Sequence, residues 1–283
     1  ARQFVSVGEG ALPIRALVVA GVVVPALLFG FWVARAPAIK RITVPVRDLP
    51  ARFEGYRIAQ LTDVHIGPTL DGNWLRKVVD KVNSLKPDVV AITGDLVDGT
   101  VSALGKQVAP LVDLKSKYGV YFVTGNHEYY SGVTEWLAEL ARLNIRALRN
   151  ERVSLPPGAA ANAQLDLAGV DDAASGSFPG HGPDVAAAMK DRDPAHPVVL
   201  LAHQPITISD AAKHGVDLQL SGHTHGGQMQ PFGALVRVEQ PYLRGLHQIG
   251  PTQLFVSQGT GTWGPPLRVG TRSEIAEITL RAG

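Results

Sequence analysis

The chain contains no cysteine, which removes disulfides and thiolate zinc sites from consideration and leaves the redox compartment open. It also lacks a basic block. Its 27 Lys and Arg against 25 Asp and Glu leave a formal net charge of +2, and they are scattered, so nothing marks a nucleic-acid surface; that weighs against a nuclease. Internal repeats and a low-complexity tail are missing too. What is present is 283 residues, 45% of them hydrophobic, enough for one full domain of roughly 100 to 250 residues plus an appendage.

One stretch lacks charge altogether. Ala16 to Ala34, bracketed by Arg15 and Arg35, is about as long as a helix needs to be to cross a bilayer core, and it is apolar on every face. It predicts a membrane span. A secretory signal peptide is the rival, but such peptides have a shorter apolar core and a small-residue cleavage site, and no convincing one follows Trp32. Arg2 and Arg15 precede the run, whereas Arg35, Lys40, Arg41, Arg47 and Arg52 follow it, which predicts a cytoplasmic C-terminal side. The expected layout is an inner-membrane anchor over residues 1–36, a linker that becomes an edge strand over 37–51, and a globular domain over 52–283. A chain that begins at Ala1 without an initiator Met leaves room for further spans upstream.

Within the domain, the runs YRIAQLT, PDVVAIT, GVYFVT, HPVVLL and VDLQLS read as buried strands. Between the first two, Asn73 is placed to cap a helix with Leu75, Val78, Val79, Val82 and Leu85 on one face, ended by Pro87. Further helices are predicted from Val101 to Lys115, despite Pro110, and from Thr134 to Leu143. The pieces IRALRN, ERVSL and QLDLAGV predict a second sheet, and residues 171–184 a loop over a cleft.

Each strand-like run ends in residues able to do chemistry. These are Asp63-Val64-His65, Gly94-Asp95-Leu96-Val97-Asp98, Gly125-Asn126-His127-Glu128, Ala202-His203-Gln204 and Gly222-His223-Thr224-His225. Open α/β sheets build their sites just beyond the carboxyl ends of strands, so the five clusters should share one cleft. Carboxylate oxygen, amide oxygen and imidazole nitrogen together suit hard-to-borderline divalent cations, with Mn²⁺, Zn²⁺ and Fe all compatible. Two such ions would outweigh two acidic ligands, leave the centre cationic and attract a phosphate; a metal pair can also activate a shared water and clamp phosphoryl oxygens.

The ordered blocks D-x-H, G-D-x-x-D, G-N-H-E, a lone His and G-H-x-H resemble the calcineurin-like metallophosphoesterase family, from about Arg52 to the C-terminus. The segments GHTHGGQM and VSQGTGTWGPPLRVG resemble its membrane-associated bacterial branch, which includes phosphodiesterases acting on cell-envelope or lipid-linked substrates. The resemblance implies a four-layer α/β/β/α sandwich and a centre of two divalent metal ions. It implies that Asp63, His65 and His225 hold one ion, that Asn126, His203 and His223 hold the other, and that Asp95 bridges them. His127 would be the catalytic residue, a general acid or transition-state donor, and Asp98 would orient a ligand histidine. The implied reaction is attack of a metal-bound hydroxide on a phosphodiester or pyrophosphate, with a lipid-linked substrate such as UDP-diacylglucosamine a candidate. Alternatives on the same scaffold are a phosphomonoesterase, a protein phosphatase or a nuclease, and beyond catalysis a membrane-tethered module that binds phosphorylated ligands.

The other residues have plainer readings. His181, His196, His214 and His247 lack partners at ligand spacing and read as surface or loop residues. Arg237, Arg244, Arg268 and Arg272 read as solvated, with phosphate contact the alternative. Trp263, Pro265, Pro266 and Leu267 read as core packing, with an acyl chain or the membrane the alternative.

Overall fold

The computed structural model describes residues 11–160 and 163–283; Arg2 lies outside the described residues. The chain opens with helix α1 (Ala11–Arg35), which runs through Pro25 without stopping. Its stretch Pro13–Arg35 contains an 18-residue window with a mean hydropathy of 2.5 and is long and apolar enough to cross a membrane. Most of its large apolar side chains are exposed, but Val33 and Ala34 at its C-terminal end are buried, so the helix emerges from the body of the protein rather than lying within it.

Among the described residues the strands form two six-stranded sheets. In chain order they are β1 (Ala38–Val46), β2 (Arg57–Leu61), β3 (Val89–Thr93), β4 (Val120–Val123), β5 (Ile145–Ala147) and β6 (Glu151–Leu155). There follow β7 (Leu165–Gly169), β8 (Val198–Leu201), β9 (Leu218–Ser221), β10 (Gly245–Ile249), β11 (Thr252–Val256) and β12 (Glu274–Ala282). The first sheet has the order β1-β12-β2-β3-β4-β5 and the second β10-β11-β9-β8-β7-β6. β1, which carries Pro45, is an edge strand, where a missing amide hydrogen is tolerated.

Near-continuous apolar runs make these strands because both faces of each sheet are covered. In β3, Val89 and Ala91 enter the core between the sheets, while Val90 and Ile92 face an outer helical layer. In β8, Val199 and Leu201 face inward and Val198 and Leu200 outward. The helices on the first sheet include α2 (Gly72–Ser84), α3 (Val101–Val108) and, after the short α4 (Asn126–Ser131), α5 (Val133–Arg142). α6 (Val185–Ala188) and α7 (Ile208–Ala211) cover the second sheet, and α8 (Gly233–Glu239) follows β9. This is the α/β/β/α order expected from sequence.

Three local expectations are corrected. The cap of α2 is Asp71, not Asn73: its carboxylate accepts from Trp74 N at 2.9 Å, the N-cap to N3 bond that orphaned helix amides require. α3 stops at Val108 and continues as a 3-10 turn, Ala109–Asp113, because Pro110 has no amide to extend the α-helical ladder. IRALRN supplies β5, which pairs in parallel with β4, so it completes the first sheet through the α4 and α5 crossover; only ERVSL and QLDLAGV join the second.

Candidate metal centre

β2, β3 and β4 run parallel to one another, as do β8 and β9, so their carboxyl ends emerge along one edge of each sheet. Gln60 ties the two edges together, its Nε2 donating to Thr93 Oγ1 at 2.8 Å and to Ser221 O at 3.1 Å. Beyond the strands the backbone turns sharply. Asp63, His65, Asp95, His223 and His225 all have positive φ, between 50° and 70°, a left-handed conformation that costs on the order of 1–3 kcal/mol per non-glycine residue. Main-chain bonds hold it in place: Asp63 N to Gly94 O at 3.0 Å, His65 N to Asp95 O at 3.1 Å, and Gly222 N to His203 O at 2.9 Å. Close approach explains two motif glycines. A Cβ on Gly222 would sit 2.2 Å from Asp63 Oδ2, and one on Gly125 would sit 2.2 Å from Asp95 Oδ1.

The turns bring together all the predicted ligands. Asp63, His65 and His225 form one trio, and Asp95, His203 and His223 a second, the ligand atoms within each lying within 4.8 Å of one another. His65 Nε2 faces His225 Nε2 at 3.1 Å, and His223 Nδ1 faces His203 Nε2 at 3.2 Å. Asp95 links its own trio to the first, with Oδ2 3.1 Å from His203 Nε2 and 3.9 Å from His65 Nε2. Asn126, at the start of α4, lines the same cavity, and its buried Oδ1 has no hydrogen-bond partner. Imidazole nitrogens converging in pairs, two fully buried carboxylates beside them and an orphaned amide oxygen are what divalent cations would satisfy. The residues fit metal ions.

Neighbouring groups set the ring orientations. His203 Nδ1 lies 2.7 Å from Thr93 O, which can only accept, so Nδ1 carries the hydrogen and Nε2 points into the site. Asp98 Oδ1 lies 2.8 Å from His65 Nδ1 and 2.7 Å from His127 Nδ1. The sequence pattern implied one oriented histidine, and Asp98 orients two. Glu128, quoted in its motif but given no role, is fully buried; it accepts from Gly125 N at 2.7 Å, Leu96 N at 2.8 Å and Asp95 N at 3.0 Å. A Glu three residues after a glycine N-cap is the capping-box spacing that could have identified it.

The charges are strongly perturbed. Burial pushes the Asp63 carboxyl up, reinforced by Asp95 and opposed by His203. Burial opposes ionisation of Asp95 too, yet His203, His65 and His127 outweigh it and hold that carboxyl well below the usual range. His203 is correspondingly raised well above its ordinary value, with Asp95 overcoming the effect of burial. Burial and cationic neighbours push His223 down to about 3 and His225 well below its usual range. These two arrive with lone pairs ready.

Other residues fall outside the trios or depart from expectation. His181 contacts Tyr129 and Arg149 rather than the ligands. His196 is buried beside Asp166 instead of lying at the surface. Arg268, read as solvated, is also buried and donates to the carbonyls of Gln258 at 2.6 Å, Gly261 at 2.7 Å and His225 at 3.0 Å. Only the chain's return from β11 past the site explains that, and no local pattern announces it. Trp263 is half exposed rather than packed in the core.

The trios open onto a cavity of about 600 Å³. Its lining includes His65, Asp95, Asn126, His127, His223 and His225 together with the apolar side chains of Phe232, Leu235, Val236 and Trp263. His127 has Nε2 4.0 Å from Asp95 Oδ2 and its ring edge-to-face with Tyr130.

Known proteins are similar to this chain over most of its length. The chain is 42% identical over 258 residues to a "Transmembrane protein with metallophosphoesterase domain" of Bos taurus, which covers 88% of this chain and 58% of that one. It is 41% identical over 263 residues to an "Uncharacterized metallophosphoesterase" of Helicobacter pylori, covering 90% and 68% respectively. An "Uncharacterized metallophosphoesterase YkuE" of Bacillus subtilis is 30% identical over 249 residues, covering 85% of this chain and 84% of that one. The chain thus spans less than two thirds of its bovine relative's length. The Calcineurin-like phosphoesterase family matches residues 56–227, a stretch that starts just before β2, ends just after His225 and contains every converging candidate ligand; the chain belongs to that family.

Proposed function

We propose that the domain is a two-metal phosphohydrolase that cleaves a phosphodiester or pyrophosphate bond in a lipid-linked substrate, at the cytoplasmic face of the inner membrane. One observation carries it: two trios of ligand atoms, the second reaching the first through Asp95, open onto a cavity whose lining also includes Phe232, Leu235, Val236 and Trp263. A polar reacting end and an apolar body would each meet matching chemistry there. The anchor adds to this, because a tethered domain works on what the membrane holds.

In this assignment Asp63, His65 and His225 would hold one divalent cation and Asn126, His203 and His223 the other, with Asp95 placed to serve both. Mn²⁺, Zn²⁺ and Fe all suit these donors. When bound, such a pair lowers the pKa of a shared water and neutralises charge on phosphoryl oxygens. The chain's own residues do the rest. Asp98 holds the His127 ring with Nδ1 toward itself, leaving Nε2 toward the cavity to give a proton or hydrogen bond to the leaving oxygen. Burial works against the charged form of His127, but Asp98 and Asp95 outweigh it and raise its pKa, which suits a proton donor. Phe232, Leu235 and Trp263 bind the apolar part of the substrate. For orientation, Arg35, Lys40, Arg41, Arg47 and Arg52 on the domain side of α1 favour the cytoplasm.

The test is hydrolysis of bis-p-nitrophenyl phosphate by the full chain in detergent, stripped with chelator and then reloaded with Mn²⁺, beside Asp95→Asn and His127→Ala. Turnover that returns with metal and falls at least 100-fold in both variants is expected. A folded, metal-loaded wild type that cleaves neither this diester nor a lipid-linked one would refute the assignment.

A further inference from the structure

After β11 the chain leaves the metal centre and runs along the anchor. Trp263 lines the cavity; three residues later Pro266 and Leu267 line a groove whose other side is Val24, Leu28 and Phe31 of α1. The seat is close. A Cβ on Gly30 would lie 2.7 Å from Leu267 Cδ1, and Arg268 N donates to Gly30 O at 3.2 Å. From the other side the buried Arg268 guanidinium fastens the loop to the carbonyls of Gln258 and Gly261, so the loop is a fixed projection.

Its depth can be read from α1. The Arg272 guanidinium lies 5.9 Å from the Trp32 ring and that of Arg35 lies 5.4 Å from the Phe31 ring, the pairing of aromatic and basic groups that marks a membrane surface. Leu28 and Val24 stand four and eight residues further into the apolar run, about 6 and 12 Å along the helix axis at a rise of 1.5 Å per residue. The loop tip lies beside them. It carries no charge between Gly259 and Leu267, yet Trp263 is 50% and Val269 44% exposed. Next to it α8 leaves Leu235 and Val238 largely exposed. Such a surface, continuous with an apolar helix, suits hydrocarbon and not water.

We propose that the 263–269 loop is a second membrane-inserted element, seated beside α1 among the acyl chains of the surrounding lipid, and that it brings the mouth of the metal cavity down to the membrane. This rests on α1 being a membrane span and is independent of the hydrolytic reading. The tip inserts, the Trp32 level meets the headgroups, and Trp263 joins the inserted surface to the cavity wall.

The absence of native cysteine permits a direct test by single-site spin labelling of the full chain in phosphatidylcholine and phosphatidylglycerol vesicles. Pro266→Cys, Pro265→Cys, Leu28→Cys and Lys213→Cys, each labelled with a nitroxide, are compared by power saturation with oxygen and with a water-soluble nickel chelate. Labels at 265, 266 and 28 are expected to sense oxygen over nickel, and the exposed site at 213 the reverse. Two loop positions keep the test available if one variant fails to fold. A nickel-accessible pattern at the loop with a lipid-buried label at 28 overturns the proposal, and a water-exposed label at 28 overturns it together with the span. The readout needs no turnover, so an inactive enzyme would leave it unchanged.

Discussion

Asp98 Oδ1 lies 2.7 Å from His127 Nδ1, and the same oxygen meets His65 Nδ1 at 2.8 Å. One carboxylate therefore fixes both a proposed metal ligand and the proposed proton donor. Burial raises the Asp98 carboxyl, but bonds from His127 and His65 hold it down at about 2, so it stays an acceptor throughout the neutral range. Asp98→Ala should lower kcat at saturating Mn²⁺ by about 10- to 100-fold, the usual scale for losing a group that orients a metal ligand, and also weaken metal affinity. Steady-state kinetics across a metal titration reads both. An unchanged kcat would mean that His127 needs no orientation.

Gly222→Ala tests the close approach between the two sheets. The added Cβ would meet Thr62 Oγ1 at 2.1 Å and Asp63 Oδ2 at 2.2 Å, displacing a carboxylate that accepts from His223 N at 2.9 Å. Overpacking of this kind typically costs about 1–3 kcal/mol. Thermal unfolding should show a lower Tm in the metal-free protein and a smaller rise on adding Mn²⁺; a wild-type response would show that the turn relaxes freely.

Metal uptake should release protons. In the metal-free chain the pKa of His203 is raised well above its ordinary value, because Asp95, with Asp63 and Asp172 behind it, overcomes the effect of burial. It therefore carries a proton at neutral pH that a cation must displace from Nε2. His223 and His225 are pushed down and have none to give. Affinity should rise with pH as that proton is lost and fall in acid, with about one proton released per chain from this residue. Calorimetric titrations with Mn²⁺ in two buffers of different ionisation enthalpy measure it. Heats independent of buffer would contradict the assignment of His203.

β1 should matter to stability. It pairs with β12 along its whole length and buries Val44 and Val46 between the sheets, burial worth about 1.5–3 kcal/mol per side chain. A chain starting at Arg52 should unfold at lower urea than one starting at Pro37, and equal midpoints would show that the strand is dispensable.

The apolar runs and their polar ends made the strands and the five clusters legible, because a short continuous apolar run and the residues that close it are local properties. Asp63, His65, Asp95, Asn126, His127, His203, His223 and His225 could all be singled out for that reason. The insertion of β12 between β1 and β2 could not, since strand order depends on long-range pairing that composition does not encode. Arg268 was hidden for the same cause: its carbonyl partners come from two segments, the turn at His225 and the stretch after β11, that meet only after folding. Phe232 and Leu235 looked like ordinary apolar residues until the fold placed them in the lining of the same cavity as the candidate ligands. Asp71 displaced Asn73 as the α2 cap because two adequate capping residues stood two apart, and the turn before the helix chose between them.

The most direct measurement is anomalous diffraction at the manganese edge from crystals of the Mn²⁺-loaded chain. Two peaks roughly 3.5 to 4 Å apart, one against Asp63, His65 and His225, the other against Asn126, His203 and His223, with Asp95 between them, are the expected result. A single peak, or a pair elsewhere, would contradict a two-metal centre built from these residues.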